Sequence, residues 1–551
     1  MKDPRFPELA KEQLEILQEY GTVEIREGRS LVFEPGQMDY DFYAILEGEI
    51  TVEDPSNNNQ IIVRHQKREF SGDNSMLSNR AAIFNGFAEP GTKLIRIKSN
   101  VLKEVISKHS DISDVLLNAF LLRQEKVLGE IKGGIKLIAS ETSKKAYAIR
   151  DFMEKNHIWY NFIDVKNNSE AKELLSHFNI SAKDLPVLIT ERNTVCKNPS
   201  IEDVAKNTGV FSEIDDKIFD VLVVGAGPAG LAASVYAASE GLSCITIDCN
   251  APGGQAGKSS KIENYLGFPT GISGYDLANK AYLQAQKFGC QISIPNKAKK
   301  LIKRDNLFIL ETAKGKKIYA KSVISATGAS YSRLPLQNIE TFEGCGIYYS
   351  ATGMNISSCQ NQIVGIVGGG NSAGQAAMFL SNYAKEVKVI LRGNDLGAKM
   401  SDYLVQRLEA KKNITIHLNT QVSALHGKEY LQQITLKNTA GDEDIFPIGN
   451  LFLFIGAKPE TDWLRDLVVT DQRGFICTGS AIPLDDLPKE ESYKTRAPQF
   501  FETSIAGCFA VGDSRNGSVK RVAGAVGEGS VVMSQVHQYL TSVGIAHLAK
   551  M

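Results

Sequence analysis

Three glycines with G-x-G-x-x-G spacing, Gly225, Gly227 and Gly230, are the first residues whose types and spacing could do chemistry. Such glycines allow a tight turn, a close approach of backbone N–H groups to a diphosphate, and close packing of the next helix on the preceding strand. The helix N-terminus offers unpaired N–H groups to the anion. Asp248 follows at roughly the 20-residue offset at which a carboxylate meets a ribose hydroxyl. The pattern predicts a dinucleotide site rather than a plain glycine-rich turn.

A second cluster has the related G-x-G-x-x-A spacing. Its following strand ends on Arg392, where no carboxylate takes the place of Asp248. An arginine at that position is the expected reader of a 2′-phosphate. We therefore predict FAD at the first cluster and NADPH at the second, with NADH as the alternative. The residues predicted to hold NADPH are Gly368, Gly370, Asn371, Ser372, Ala373, Arg392 and Lys399.

Apolar runs place both clusters at the ends of buried parallel strands. Residues 221–224 precede the first cluster, and an Ala-rich helix and residues 244–247 follow it, which makes a complete βαβ unit. Residues 363–380 and the strand VKVIL predict a second unit. A third apolar strand, residues 508–511, leads to Gly512 and Asp513, with a helix beginning near Val522. An ordinary strand-turn-helix with an N-capping Asp513 is the alternative for this last stretch.

Length and composition narrow the class of protein. A chain of 551 residues exceeds one hydrophobic core, and its length predicts about three to four domains. The formal net charge of -1 gives no basic field for nucleic acid. The first residues lack the apolar core of a signal peptide, so we predict a cytoplasmic protein without a membrane span. The eight cysteines include no C-x-x-C pair, and no metal-ligand cluster is visible.

Residues 1–130 predict an antiparallel sandwich or jelly roll. The alternating segments SLVFEPGQ, FYAILEGEITV, IIVRHQ and TKLIRIK are separated by Gly, Pro and Asn. One helix, over residues 102–128, is predicted to close the domain. The arrangement resembles the cyclic-nucleotide-binding family, with Phe42, Tyr43 and Gly48 in the place of its strand signature.

That resemblance implies a phosphate cassette at residues 70–82. Asp73 would meet the ribose hydroxyl and Arg80 the cyclic phosphate. Ala81 stands where the family has a hydroxyl, and the loop before Arg80 is short. We therefore favour a structural or regulatory sandwich that has lost its nucleotide, with a cyclic nucleotide as the alternative ligand.

Residues 133–212 have the predicted order βαβαββ. With Pro186 opening a strand, the order resembles the thioredoxin or glutaredoxin fold, in which this proline is cis and lies opposite the catalytic cysteines. Residues 140–143 are Ser-Glu-Thr-Ser where those cysteines belong, so no thiolate is available for disulfide exchange. Cys196 is interpreted as a packing residue near a hairpin.

The C-terminal three-fifths resembles the low-molecular-weight thioredoxin reductase family. The matching motifs are GGQ at 253–255, IENYLGFP at 262–269, ATG at 326–328, GAKPET at 456–461 and GD at 512–513. The resemblance implies an FAD domain, 217–332 and 456–551, around an NAD(P)H domain, 333–455. It also implies lobe rotation and a homodimer. The residues predicted to hold FAD are Gly225, Gly227, Pro228, Ala229, Gly230, Asp248, Gly254, Gln255, Asn264, Thr327, Gly328, Gly512, Asp513, Arg521, Val522 and Ala523.

The whole chain resembles a fused form of that family, with the jelly roll and the thioredoxin-like domain in front of two Rossmann-like α/β domains. One departure is chemical. The family carries C-A-x-C before its second dinucleotide unit, whereas this chain has Ser350 and Gly353 at the two thiol positions. Serine cannot form a disulfide, because only a thiolate pair passes two electrons that way. Cys345 lies nearby without a C-x-x-C partner and is interpreted as structural.

Three functions remain open. The first is a thioredoxin-disulfide reductase using an external disulfide, which the missing cysteine pair disfavours. The second, which we favour, is an FAD-dependent NAD(P)H oxidoreductase that passes a hydride from NADPH to FAD and then reduces an acceptor. That acceptor could be an external disulfide, a quinone, a one-electron protein carrier or dioxygen. The third is a sensor in which the N-terminal sandwich binds a cyclic nucleotide or a partner.

Overall fold

The computed structural model describes residues 3–55, 57–77, 81–130, 134–156, 158–166, 169–190, 193–259, 261–487, 493 and 496–544. The chain divides into two compact units. The first comprises Met1–Glu141, Phe152–Ile214 and Gln286–Pro295, and the second comprises Thr142–Asp151, Asp215–Ala285 and Asn296–Met551. The finer division into four domains stays a prediction. In the described part of the chain, no helix has the length and apolarity needed to cross a bilayer.

A β sandwich opens the first unit. Helix α1 (Lys11–Tyr20) is followed by the strands β1 (Thr22–Arg26), β2 (Ser30–Phe33), β3 (Phe42–Glu47), β4 (Ile50–Asp54), β5 (Gln60–His65), β6 (Phe70–Ser71), β7 (Asn85–Ala88) and β8 (Thr92–Ile97). They form two antiparallel four-stranded sheets with the orders β1-β8-β3-β6 and β2-β7-β4-β5. Gly48, at φ +82°, turns the chain between β3 and β4, so the segment FYAILEGEITV is two strands.

Two helices replace the single helix predicted over residues 102–128. They are α2 (Ser99–Lys108) and α3 (Ser110–Glu130). His109 separates them with an extended backbone, φ −117° and ψ 94°. Leu102 and Phe120 are both fully buried in the same core as the sandwich. Residues 107–111 contain no apolar residue, but the apolar residues on the two sides stay in helical phase, so the pattern predicts one helix.

A third four-stranded sheet follows in the first unit, interrupted in the sequence by residues 142–151, which belong to the second unit. The elements are β9 (Ile135–Ala139), α4 (Lys144–Lys155), β10 (Tyr160–Asp164), α5 (Ser169–His177), β11 (Val187–Ile189), β12 (Val195–Lys197) and α6 (Ile201–Asn207). The sheet order is β10-β9-β11-β12, in which only β10 and β9 are parallel. The Leu185–Pro186 peptide is cis. The predicted βαβαββ order is present, and α6 was not predicted.

The second unit contains a mixed sheet and a parallel sheet. Its elements up to residue 331 are β13 (Ile218–Val224), α7 (Pro228–Ser239), β14 (Cys244–Ile247), α8 (Gly274–Lys287), β16 (Ala298–Arg304), β17 (Leu307–Thr312), β18 (Lys317–Ser325) and β19 (Ala329–Tyr331). The strand β15 (Gln291–Ser293), which lies between α8 and β16 in the sequence, belongs to the first unit. Strands β14, β13, β18 and the later β29 (Cys508–Ala510) lie side by side and are parallel. Strand β13 is buried at every residue except Ile218, as expected for a strand covered on both faces.

The parallel sheet has the order β20-β27-β21-β22-β23. The elements of this part are α9 (Ile339–Phe342), β20 (Ile347–Tyr348), α10 (Ile356–Cys359), β21 (Ile363–Val367), α11 (Asn371–Leu380), β22 (Glu386–Ile390), α12 (Asp402–Ala410), β23 (Ile414–His417), β24 (Thr420–Gly427), β25 (Leu431–Asn438), β26 (Glu443–Phe446) and β27 (Asn450–Leu453). Strand β28 (Ala457–Pro459) then pairs with β19, and helix α13 (Val522–Ser542) follows β29. We call the part around β13, β18 and β29 the first lobe, and the part around β21 and β27 the second lobe.

Candidate active site

One edge of the first lobe collects three loops from distant parts of the chain. Strands β13, β18 and β29 are parallel neighbours, with Val224 opposite Ser325 and Ser325 opposite Ala510. Their carboxyl ends therefore lie together, which is where open α/β sheets bind ligands. The loops that leave this edge carry the predicted motifs at residues 225–230, 326–328 and 512–513.

The glycine turn after β13 has the geometry that its spacing predicts. Gly225 has φ +106°, and an added Cβ would come 2.3 Å from the carbonyl oxygen of Ala326. An added Cβ on Gly230 would lie 1.8 Å from the carbonyl oxygen of Gly225. Gly227 differs, since its Cβ would have only Gly254 Cα, at 3.9 Å, as a neighbour. Two of the glycines therefore pack the turn, while the middle one leaves an open cradle.

The N-terminus of helix α7 lies at that cradle. The helix begins at Pro228, its N-cap is Gly227, and no side chain caps it. The first-turn N–H groups thus have the arrangement that binds a diphosphate at a helix N-terminus. The open side of Gly227 and the uncapped helix fit the pyrophosphate of a dinucleotide.

Asp248 closes the cradle from the next strand. Its Oδ2 accepts the Ala226 N–H at 2.8 Å, and its Oδ1 accepts the N–H groups of Asn250 at 2.8 Å and Ala251 at 3.2 Å. The carboxylate predicted to meet a ribose hydroxyl therefore also holds the glycine turn and the loop after β14. The sequence pattern did not reveal this second role.

Asp513 is not the N-cap of the following helix. It lies in a 3-10 turn, Gly512–Ser514, while α13 begins at Val522 with Arg521 as its N-cap. Burial raises the pKa of the Asp513 carboxyl, and the charge of Lys520 opposes that shift. The Lys520 Nζ donates to the Asp513 carbonyl oxygen at 2.9 Å. The side chain of Asp513 thus remains available at the edge of the sheet, and the alternative of an N-capping aspartate is wrong.

The remaining predicted FAD residues lie around this edge with different exposures. Thr327, Gly328 and Val522 are half-buried, Gly512 is buried, and Gly254, Gln255, Asn264, Arg521 and Ala523 are exposed. An added Cβ on Gly328 would meet nothing within 4 Å. Their roles toward a bound cofactor stay predictions.

The second lobe repeats the arrangement at the ends of β21, β22 and β27. Gly368 has φ +145°, and an added Cβ would lie 2.6 Å from the Phe454 carbonyl oxygen. Gly370 is the uncapped N-cap of α11, and its Cβ would meet nothing within 4 Å. Arg392 and Lys399 are exposed in the loop after β22. The lobe therefore has a second open cradle, with basic residues beyond the neighbouring strand.

Asn371 is engaged within the protein. Its Oδ1 accepts the Ser401 N–H at 2.7 Å, and its Nδ2 donates to the Ser401 hydroxyl at 3.0 Å. Ser401 is the N-cap of α12, so this side chain joins the starts of two helices. Asn371, predicted to bind NADPH, therefore holds the cradle in shape with its side chain.

Comparison with known proteins decides the family. The family described as pyridine nucleotide-disulphide oxidoreductase matches residues 219–529, more than half of the 551 residues. The chain belongs to this family.

Individual relatives agree with the family match. Thioredoxin reductase of Mycoplasmopsis pulmonis is 34% identical over 323 residues, which cover 57% of this chain and 95% of that protein. The solved thioredoxin reductase of T. acidophilum is 29% identical, with a TM-score of 0.52 over 60% of this chain and 100% of its own. That of Lactococcus lactis, in its FR conformation, is 25% identical, with a TM-score of 0.52 over 59% and 99%. The chain is an NAD(P)H-dependent flavin oxidoreductase, and its family implies FAD and a pyridine nucleotide.

The cysteines offer no disulfide for this family's chemistry. All eight lie in the described part of the chain, and none of them forms a disulfide. Ser350 is 6% exposed, and Gly353 is exposed in the loop after β20. The Cys345 thiol donates to the Thr142 carbonyl oxygen at 2.9 Å, and burial raises its pKa. Burial also raises the pKa of Cys359 to about 12, so neither thiol is held as a reactive thiolate.

The candidate cassette of the first unit is partly committed to internal bonds. Asp73 Oδ1 accepts the Tyr40 hydroxyl at 2.9 Å and the Ser75 N–H at 2.7 Å. Arg80, the predicted phosphate ligand, lies outside the described residues. In the described part of this candidate site, the Asp73 carboxylate is therefore hydrogen-bonded to neighbouring residues of the sandwich.

Contacts between the lobes were missed by sequence reasoning. Arg407 Nη1 on α12 lies 2.6 Å from Glu263 Oε2 of the first lobe. Tyr331 of β19 packs edge-on against Phe454 at 5.3 Å between ring centroids. Burial raises the pKa of Tyr331, although a hydrogen bond with Ser372 opposes the shift. No sequence pattern signals such pairs, because their members are far apart in the chain.

Glu528 was not among the predicted site residues, although the sequence of its helix marks it as unusual. It is the only Asp, Glu, Lys or Arg in the 21 residues of α13. A single carboxylate in an otherwise uncharged helix is costly to bury unless it is paired. Its partners, Arg515 and Gly512, belong to the loop that carries Asp513.

Proposed function

We propose that the protein passes a hydride from NADPH to FAD and then delivers the electrons directly to an external acceptor. A bound FAD would supply the hydride acceptor and the outlet for its two electrons. The observation that carries the proposal is the pair of open glycine cradles in a chain whose eight cysteines form no disulfide. In the first lobe, the α7 N-terminus, Asp248 and Asp513 would hold the FAD.

Electron balance limits the acceptor. NADPH gives up one hydride, which carries two electrons, so turnover needs one two-electron acceptor or two one-electron carriers. An external disulfide would become two thiols, a quinone a quinol, and dioxygen hydrogen peroxide. Ser350 and Gly353 provide no internal dithiol to relay those electrons. We therefore favour a non-disulfide acceptor that approaches the flavin itself.

Anaerobic reduction followed by an acceptor screen tests the proposal. The purified protein should be yellow, and one equivalent of NADPH should bleach its absorption near the flavin band. The pre-reduced protein is then mixed, in a stopped-flow instrument, with a thioredoxin disulfide, a quinone, a one-electron carrier and dioxygen. Fast reoxidation by a non-disulfide acceptor is the expected result.

Two outcomes contradict it. A colourless protein that takes up no FAD ends the flavin assignment. Rapid reoxidation by thioredoxin disulfide alone would instead favour the thioredoxin reductase activity named for the relatives of this chain. An S350A variant serves as the control, since a serine without a redox role leaves every acceptor rate unchanged.

A regulatory role of the first unit is the second candidate. The orders β1-β8-β3-β6 and β2-β7-β4-β5 support a jelly roll of the cyclic-nucleotide-binding type, and β10-β9-β11-β12 supports a thioredoxin-like domain without its cysteines. The bonds of Asp73 to Tyr40 and Ser75 favour a sandwich without bound nucleotide. A homodimer, which the family resemblance implies, and a cytoplasmic location, which the N-terminal sequence predicts, complete the proposal.

A further inference from the structure

A buried ion pair lies directly behind the turn that presents Asp513. Arg515 Nη2 is 2.6 Å from Glu528 Oε1, and Arg515 Nε is 3.1 Å from Glu528 Oε2. Their side chains are only 10% and 13% exposed. This two-pronged geometry fixes the relative position of the two side chains.

The same carboxylate also holds the backbone of the turn. Glu528 Oε2 accepts the Gly512 N–H at 2.6 Å. The rings of Phe500 and Phe501 lie 5.3 and 5.4 Å from the Arg515 guanidinium carbon. Glu528 thus receives three donors, all from the segment that contains Asp513.

The turn and α13 are pressed against the start of α7. Gly512 has φ +68°, and an added Cβ would lie 2.9 Å from Ala229 Cβ. An added Cβ on Gly529, next to Glu528, would lie 2.1 Å from the Ala229 carbonyl oxygen. Ala229 belongs to the first turn of α7, beside the diphosphate cradle. Glu528 therefore ties the Asp513 turn to the helix that forms the other end of the site.

Stability alone does not account for such a pair. Buried ion pairs lose solvation, and replacing both members by apolar residues is often neutral or stabilising. The Glu528 carboxylate also accepts the Gly512 N–H at the edge of the sheet where the ligand is proposed to bind. This contact suggests that Glu528 fixes the geometry of the turn. The single charge of α13 stands where it can set the distance between two cofactor contacts that are remote in sequence.

We propose that Glu528 is a positioning residue of the FAD site, which acts with Arg515 to hold the Gly512–Asp513 turn toward the cofactor. This inference rests on the proposed FAD site of the first lobe. Glu528 does not touch the reacting atoms. It sets the place of Asp513 relative to the α7 N-terminus, so its loss weakens FAD binding without removing any cofactor ligand.

Paired substitutions in the full-length protein separate positioning from stability. Glu528→Met with Arg515→Met removes both charges and the acceptor for the Gly512 N–H. Glu528→Gln with Arg515→Met also leaves no unpaired charge but keeps an amide oxygen for that N–H. Asp220→Asn with Lys321→Met is the matched control, because this 2.7 Å ion pair of the same lobe lies toward the other end of β13.

Two quantities are measured on the full-length apoprotein of each variant. Flavin fluorescence gives its affinity for added FAD, and circular dichroism gives its melting temperature. The Met/Met variant should melt like the wild type or higher and bind FAD at least tenfold more weakly. The FAD affinity of the Gln/Met variant should lie between those of the Met/Met variant and the wild type. The control should bind FAD with the affinity of the wild type. Wild-type affinity in the Met/Met variant, or equal weakening in the control, overturns the proposal. A wild type that binds no FAD overturns the proposed function itself.

Discussion

Arg392 is the single residue that we predict to set the nucleotide preference of the second lobe. Asp248 ends its βαβ unit with a carboxylate that would repel a 2′-phosphate, whereas Arg392 offers an exposed guanidinium at the matching place in the second lobe. Arg392→Ala should raise KM for NADPH by about tenfold to a hundredfold, since a hydrogen bond to a charged group contributes about 1.5–3 kcal/mol and about 1.4 kcal/mol is tenfold. KM for NADH should change little. Steady-state kinetics with both nucleotides measure this, and equal effects on the two would remove the 2′-phosphate assignment.

The βαβ element determines whether a glycine serves folding or binding. Gly230→Ala places a Cβ 1.8 Å from the Gly225 carbonyl oxygen, so it should lower the free energy of unfolding of the apoprotein by about 1–3 kcal/mol. Gly227→Ala meets only Gly254 Cα at 3.9 Å and has an ordinary φ of −72°, so the apoprotein should remain stable. The Gly227 variant should instead lose FAD affinity by roughly tenfold, about 1.4 kcal/mol, because the methyl group fills the cradle.

Denaturant unfolding of the apoproteins and FAD titrations by fluorescence measure the two effects separately. Each variant is the control for the other, since both add one methyl group to the same turn. A Gly227 variant that unfolds more easily and still binds FAD normally would contradict the division of roles between these two glycines.

At the scale of the whole molecule, we predict nucleotide binding in the second unit and no cyclic-nucleotide binding in the first. Asp73 is already bonded to Tyr40 and Ser75, so calorimetry of the full chain with cAMP or cGMP should give no binding in the submicromolar range. NADPH titrated into the same sample is the positive control for an intact second unit. Submicromolar affinity for either cyclic nucleotide would show that the sandwich has kept its ligand and would favour the sensor hypothesis.

The local sequence pattern was sufficient to predict those elements whose structure depends on residues close together in the chain. The glycine spacing required the turn at Gly225 and the close contact at Gly230, and apolar runs of four or five residues marked β13 and β21. The local pattern was insufficient at His109, because the apolar residues before and after the break between α2 and α3 stay in helical phase. Short strands such as β6 and β7 also carried too few residues for a recognisable alternation.

The amino-acid sequence by itself determined which residues could bind nucleotides and that no C-x-x-C pair exists, because residue type and short spacing are properties of the chain. Tertiary structure alone decided that Asp248 holds its own glycine turn, that Asn371 bonds to Ser401, and that Glu528 and Arg515 close behind Asp513. Those partners come from segments separated by many residues. Only the packing of α7, α11, α12, α13 and the parallel strands brings their polar atoms within hydrogen-bond distance.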